Sequence, residues 1–220
     1  MQVLLVVLSA VIGYLFGTIP VGACIARLYG NLDIRKHGSG NTGTTNVLRT
    51  LGWVPSLLTL LGDCLKGVFG ALIGRWLGGE AGMLAGGFFA VLGHDFPVFT
   101  GFRGGKGIAT SLGITFVICT PVAPWLVVIV IAIVAVVRIM SVGTLAASIA
   151  YPILFWIYLP DGASLPLYLS FAVAMALLSF FCHRSNLRRL LRGEENRLDF
   201  AKIGQISRKY MHLPRRRHKK

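Results

Sequence analysis

Charge is what this chain has least of for its length. Asp, Glu, Lys and Arg make up 14% of its 220 residues, against about 25% in a soluble domain, which excludes an ordinary water-facing surface. Acidic residues are scarcer still, eight in all, and only Glu194 and Glu195 stand together. That scatter excludes the aspartate cluster of a metal-dependent phosphotransferase. The four cysteines, Cys24, Cys64, Cys119 and Cys182, sit singly in or beside apolar runs. Their spacing fits neither a disulfide framework nor a metal site, so they read as small buried hydrophobes.

What replaces charge is apolar length. Hydrophobic residues reach 55% and the mean hydropathy is +0.71, gathered in long runs rather than the stripes of a soluble helix bundle. A window of about 20 residues, enough to cross a ~30 Å hydrocarbon layer, finds seven candidate spans near 2–28, 53–77, 80–99, 108–120, 121–138, 141–159 and 165–182. The expected fold is all-α: a polytopic integral membrane protein with seven transmembrane helices. Residues 108–138 read either as one long helix or as two that turn at Pro121 and Pro124.

Charge favours the turn. With seven spans, Arg35, Lys36, Arg49, Arg103, Lys106 and the thirteen Lys/Arg after His183 share one face, with Arg27 and Arg138 at helix ends beside it. Only Arg75, Glu80 and Asp161 fall on the other. Because Lys and Arg gather on the cytoplasmic side, the N-terminus is expected outside and the C-terminus in the cytoplasm. The first run has no basic leader and no small-residue cleavage site before its end, so it reads as a retained helix rather than a signal peptide. The net charge of +14 comes mostly from the last part of the chain. A juxtamembrane basic tail, 197–220, is expected to meet anionic lipid rather than nucleic acid, and 1–196 to form the membrane domain.

Three polar stretches fall on the expected cytoplasmic face. In "GSGNTGTTNVLR", 38–49, Gly38, Gly40 and Gly43 let backbone N–H groups approach a ligand. Ser39, Asn41, Thr45 and Asn46 add polar side chains, and Arg49 a fork for phosphate; such a nest of donors suits an anion. The stretch also fits G-x-G-x-x-G, with Asp63 twenty residues after Gly43, but a dinucleotide site needs a preceding strand in a βαβ unit. In "FRGGKG", 102–107, Lys106 lies among Gly104, Gly105 and Gly107 ahead of a helix start, where free N–H groups favour phosphate. Thr100 and Gly107 break the Walker A pattern, so an ATPase is not expected. In "HRSNLRRLLRGEE", 183–195, His183 and Asn186 share a helical face amid arginines. Within the second span, Asp63 and Lys66 are also three apart, and ionisable groups in a membrane helix mark a functional site or pair with each other.

Taken together, "GSGNTGTTNVLR", "DCLKG", "GHDFPVFTGFRGGKG" and "HRSNLRRLLRGEE" resemble the motifs of the bacterial PlsY family, the acyl-phosphate:glycerol-3-phosphate acyltransferases, through Glu195. Thr42 and Thr44 stand where family members commonly carry Pro or Ile and Ala. The resemblance implies a seven-helix enzyme with cytoplasmic motifs that moves a fatty acyl group from acyl phosphate to the 1-hydroxyl of glycerol 3-phosphate. The product would be lysophosphatidic acid, for phospholipid synthesis. It implies a glycerol 3-phosphate site at Gly104, Gly105, Lys106 and Gly107, and activity residues Ser39, Asn41, Thr45, Asn46, Arg49, His183 and Asn186, with Glu195 structural.

A mixed anhydride is already activated, so such an enzyme mainly positions the hydroxyl and steadies charge. Lys106 and Arg49 are expected to clamp phosphates, the glycine-rich loop to cradle the acyl phosphate or the developing oxyanion, His183 and Asn186 to orient the glycerol, and Asp63 and Lys66 to line the site. Two proton acceptors stay open, His183 and a substrate phosphate. No histidine has an aspartate five positions on, which argues against the motif of acyl-CoA-dependent acyltransferases. No cofactor and no metal are expected. The implied partners are both substrates, membrane lipid and the soluble enzyme that makes acyl phosphate, with no nucleic acid. A transporter of a phosphorylated solute is the alternative, though the chain lacks the matching halves expected of one.

Overall fold

The computed structural model describes residues 1–159 and 162–211; Asp161 and the basic end of the tail, 212–220, lie outside them. Every regular element among the described residues is helical. Internal contacts divide the chain into two compact units, Met1–Ile19 with Cys64–Leu198, and Pro20–Asp63 with Asp199–Lys220.

The long helix α4, Trp53–Asp95, is broken at Gly78 (φ −122°, ψ 17°) and Gly79 (φ 61°, ψ −143°). Gly79 adopts a backbone open essentially to glycine, and it turns the chain where the sequence separates the second and third spans. Within the larger unit the two limbs fold back on each other at backbone contact. A β-carbon on Gly74 would overlap the Gly82 carbonyl, and one on Gly86 the Gly70 carbonyl. Helix α1, Gln2–Gly17, meets the returning limb in the same way, Gly13 on Gly86 and Gly17 on Ala90. Lipid tails are as apolar as leucine, so close backbone packing of small residues replaces the hydrophobic effect between such helices.

Helices α5, Ile108–Ile118, and α6, Val122–Val137, are separate. The chain breaks at Cys119–Pro121, which settles the ambiguous run 108–138 in favour of two helices. Helices α7, Met140–Tyr158, and α8, Leu165–Cys182, follow. Phe155 is fully buried between Tyr151 and Phe171, with ring centroids 4.8 and 6.4 Å away, while Thr115 and Tyr151 share a hydrogen bond of 2.9 Å. Helix α9, Arg184–Leu191, closes the unit, and the chain after it returns to donate from Leu198 N–H to the Arg138 carbonyl at 2.6 Å.

The outward side chains are apolar: Trp76 is 84% and Val136 82% exposed. This inverted surface suits hydrocarbon. Among the described residues four helical stretches are long and apolar enough to cross a membrane, Gln2–Gly30, Trp53–Thr100, Met140–Tyr158 and Leu165–Cys182; α5 and α6 are apolar but shorter. At 1.5 Å per residue, the 11 residues of α5 reach only about 16 Å.

The smaller unit holds α2, Val21–Gly30, a 3-10 turn at Ile34–Lys36, α3, Thr44–Leu51, the start of α4, and α10, Phe200–Lys209. Its core is Ala26, Ile34, Val47 and Leu51, with Tyr210 packed against it. Asp199 caps α10 by accepting from Lys202 N–H at 3.0 Å. Ser207 on α10 accepts from Trp53 N–H at 3.1 Å. The basic segment after 197 therefore contains a packed helix.

Candidate active site

The third and fourth helical limbs of the larger unit are joined by the glycine-lysine turn, which is folded onto the end of α4. Gly104 N–H donates to the Asp95 carbonyl at 3.2 Å, and Gly105 N–H to the His94 carbonyl at 2.9 Å. A β-carbon on Gly104 would strike the His94 carbonyl, and one on Gly105 the His94 ring. Gly107 has φ +69° and caps α5. These contacts explain why the residues around Lys106 are glycines: the turn lies flat on His94 and Asp95, both buried.

Lys106 reaches the third motif, its ammonium donating to Asn186 Oδ1. Asn186 in turn donates through Nδ2 to Glu195 Oε1 at 2.7 Å. Glu195 also accepts from Ser141 Oγ at 3.2 Å and from Arg189 Nε at 2.7 Å. Burial alone would raise the Glu195 carboxyl. The hydrogen bonds from Asn186 and Arg189, the Arg189 charge and the Ser141 hydroxyl outweigh it, holding the group below the ordinary 4.5. A carboxylate held ionised in this way fixes the Asn186 amide so that its oxygen faces Lys106.

His183 stands one turn before Asn186 and is 2% exposed. Its Nδ1 lies 2.8 Å from the Ser179 carbonyl and its Nε2 3.1 Å from Thr144 Oγ1. A carbonyl only accepts, so Nδ1 carries the proton and Nε2 of the neutral ring is the acceptor. Burial, and then the Lys106 charge, push its pKa down from 6.5 to about 4. His183 is thus a neutral, fixed ring at neutral pH.

In the smaller unit the glycine-rich loop is organised around Asn46, which is 2% exposed. Its Nδ2 donates to the carbonyls of Ile34, His37 and Asn41 at 3.2, 2.9 and 2.8 Å, and its Oδ1 accepts from Ser39 N–H at 2.9 Å. Gly38 (φ +58°) presses so closely on Asn46 that a β-carbon would strike its Oδ1. Asn41 Oδ1 accepts from Gly43 N–H at 2.7 Å, setting the start of α3. The loop presents Gly38, Ser39 and Gly40 exposed, with Asn41, Thr45 and Arg49 half-buried.

The structure thus joins Lys106 and Asn186 directly, sets His183 beside them on the same helical end, and places Asn46 inside its own loop. Asp63 and Lys66 are both buried, and the Lys66 ammonium donates to the Ile19 carbonyl at 3.2 Å. Sequence reasoning missed His94 and Asp95 as the floor of the turn, and Ser141 and Thr144 as supports of Glu195 and His183. The signal for the first pair was a His-Asp dipeptide ending an apolar run; two hydroxyls opening an apolar helix gave none. Among the described residues no three His, Cys, Asp or Glu side chains are grouped to hold a metal ion.

Comparison with known proteins points the same way. Residues 7–193 match the family model described as glycerol-3-phosphate acyltransferase. A Synechococcus protein named glycerol-3-phosphate acyltransferase is 43% identical, covering 89% of this chain and 96% of that protein. One of the same name from Thermus thermophilus is 43% identical over 86% of this chain and 94% of its own. The crystal structure of PlsY, an integral membrane glycerol 3-phosphate acyltransferase, in its glycerol 3-phosphate form, is similar with a TM-score of 0.81 and 35% identity, covering 90% of this chain and 98% of that one. Its lysophosphatidic acid form gives 0.80 and 34%, over 91% and 98%.

Proposed function

The chain belongs to the glycerol-3-phosphate acyltransferase family, and from that premise we propose that it transfers a fatty acyl group from acyl phosphate to the 1-hydroxyl of glycerol 3-phosphate. Inorganic phosphate and lysophosphatidic acid are the products. The transporter alternative gives way to the family. The observation that carries the reading is the chain Lys106–Asn186–Glu195, which joins a phosphate-seeking lysine to an oriented amide beside a neutral histidine.

In this reading Lys106 holds the phosphate of glycerol 3-phosphate, with the backbone of Gly104, Gly105 and Gly107 shaping the turn. Asn186 and His183 direct the glycerol hydroxyl. The family resemblance assigns Ser39, Thr45 and Arg49 to activity, and with Gly38 and Gly40 they carry donors suited to the acyl phosphate; Asn41 and Asn46 hold their own loop in shape. The hydroxyl oxygen attacks the acyl carbon, the bond to phosphate oxygen breaks, and the hydroxyl proton passes to a phosphate oxygen. A base with pKa about 4 is poorly matched to this transfer at neutral pH. A phosphate group with a second pKa of about 6 is better matched. His183 then orients and does not take the proton. Asp63 and Lys66, buried in α4, are assigned to holding the helices beside the site.

The supporting fold is read as seven spans in a bacterial inner membrane, with the motifs on the cytoplasmic side and the N-terminus outside. The test supplies purified protein in lipid with palmitoyl phosphate or palmitoyl-CoA, and follows phosphate release and lysophosphatidic acid. Turnover with palmitoyl phosphate alone, insensitive to chelator, is expected. Lys106→Ala and Asn186→Ala should each lower kcat/KM by about a hundredfold, the loss of a charge-assisted contact. Equal activity with palmitoyl-CoA overturns the donor assignment, and full activity in both variants overturns the site.

A further inference from the structure

Helix α5 begins two residues after Lys106, past its cap Gly107, and its first N–H groups carry the positive end of the helix dipole. Such an end attracts phosphate, so glycerol 3-phosphate has two cationic features to choose between, the lysine and the helix. The structure puts a carboxylate of the chain's own at the helix. Asp95 ends α4, is 4% exposed, and sets Oδ1 and Oδ2 at 3.1 and 3.2 Å from where a β-carbon on Gly107, the residue capping α5, would lie. Its position is fixed from both sides. The Asp95 carbonyl accepts Gly104 N–H at 3.2 Å, and its Oδ2 accepts the Cys182 thiol at 3.1 Å, one residue before His183.

We propose that Asp95 is a positioning residue that sets how tightly phosphate is held, its resident carboxylate at the start of α5 keeping substrate phosphate on Lys106 and weakening the grip on inorganic phosphate. This rests on the reading of Lys106 as the glycerol 3-phosphate site. The physical reason is that a negative charge already lying at the helix end partly cancels its attraction for a second anion, and repels the phosphate bound beside it. An enzyme whose substrate, donor and leaving group all carry phosphate gains from this, because the released phosphate must leave before the next turnover. Glycine at 107 is required for the approach, since any side chain there would meet both carboxylate oxygens and the Val91 side chain.

The test compares wild type with Asp95→Asn and Asp95→Ser, which remove the charge, and with Cys182→Ala, which removes the thiol donor but keeps the charge. Each is measured in lipid with palmitoyl phosphate, for KM of glycerol 3-phosphate, kcat, and inhibition by inorganic phosphate. Both uncharged variants are expected to lower KM for glycerol 3-phosphate and to strengthen phosphate inhibition by about three- to tenfold, the scale of one screened charge interaction, with kcat unchanged or lower. Cys182→Ala should stay within about twofold of wild type, smaller than a lost hydrogen bond usually costs. Tighter binding of both phosphates in folded variants separates this role from a merely structural one, whose loss loosens the turn that holds Lys106 and raises KM. An unchanged or raised KM in folded variants, or failure of both uncharged variants to fold, overturns the proposal. Wild-type protein that does not use glycerol 3-phosphate overturns the underlying reading instead.

Discussion

Asn46 uses its whole amide within its own loop, donating to three carbonyls and accepting one N–H. Asn46→Asp would turn an oxygen toward those three carbonyls and is expected to cost about 3 kcal/mol or more, several buried groups losing partners at once. Thermal unfolding in detergent measures it, and a stability equal to wild type would show that the loop does not depend on this amide. The sequence marked Asn46 as functional but could not separate a side chain that binds substrate from one that binds backbone, because an amide suits both. His183 was equally legible as a position and illegible as a state. The ring is neutral because Ser179, Thr144 and burial make it so, and all three come from tertiary packing. Its depressed pKa has a consequence for stability. As pH falls from 6.5 toward 4, the unfolded chain takes up a proton that the folded ring refuses, so stability present above 6.5 is lost through that window. Glu195, a lowered carboxylate, adds a further loss, its contribution holding above the ordinary 4.5 and vanishing below its folded pKa. His183→Asn should flatten the loss between pH 6.5 and 4 in unfolding temperatures, leaving only the Glu195 limb; an unaltered slope would place the acid sensitivity elsewhere.

At the scale of elements, the apolar runs after residue 53 match the helices nearly to their ends because their length carries the information, whereas the run 2–28 is two helices, α1 and α2, with Thr18–Pro20 between them. The break between α5 and α6 was visible as Pro121, and the turn between the limbs of α4 as Gly78–Gly79. What the runs could not show was which helices touch. Gly74 and Gly79 look alike in sequence, yet Gly79 has nothing within 4 Å of its missing β-carbon while Gly74 has the Gly82 carbonyl against it. Gly79→Ala should therefore cost only backbone strain, about 1–3 kcal/mol. Gly74→Leu must force two helices apart and should cost more than Gly79→Ala, about 3 kcal/mol or above on the overpacking scale. Unfolding of both variants side by side decides it, and a greater loss at Gly79 would mean the limbs are not packed at backbone contact. Helix α10 was hidden for the opposite reason. Its packed positions, Ile203, Ser207 and Tyr210, follow a helical stripe, but they lie among Lys202, Arg208 and Lys209, and the charge of the segment masked the pattern.

For the whole molecule the strongest constraint is the asymmetry of Lys and Arg, which is a statement about orientation rather than about contacts. In the proposed topology seven apolar segments put the two ends on opposite sides of the membrane, and the positive-inside rule assigns Glu80 to the outside and Phe102 and Arg192 to the cytoplasm. The shortness of α5, about 16 Å, makes the orientation worth measuring, since a segment that fails to cross would invert everything after it. In a variant without Cys24, Cys64, Cys119 and Cys182, single cysteines in place of Glu80, Phe102 and Arg192 can be labelled with a membrane-impermeant maleimide. Glu80→Cys should react in intact cells, and Phe102→Cys and Arg192→Cys only after lysis. Reaction of Arg192→Cys in intact cells, with Phe102→Cys still protected, would mean an odd number of crossings between the second and third motifs. Those motifs meet through Lys106 and Asn186, so that labelling pattern would put the measured topology in conflict with the contact on which the site is built.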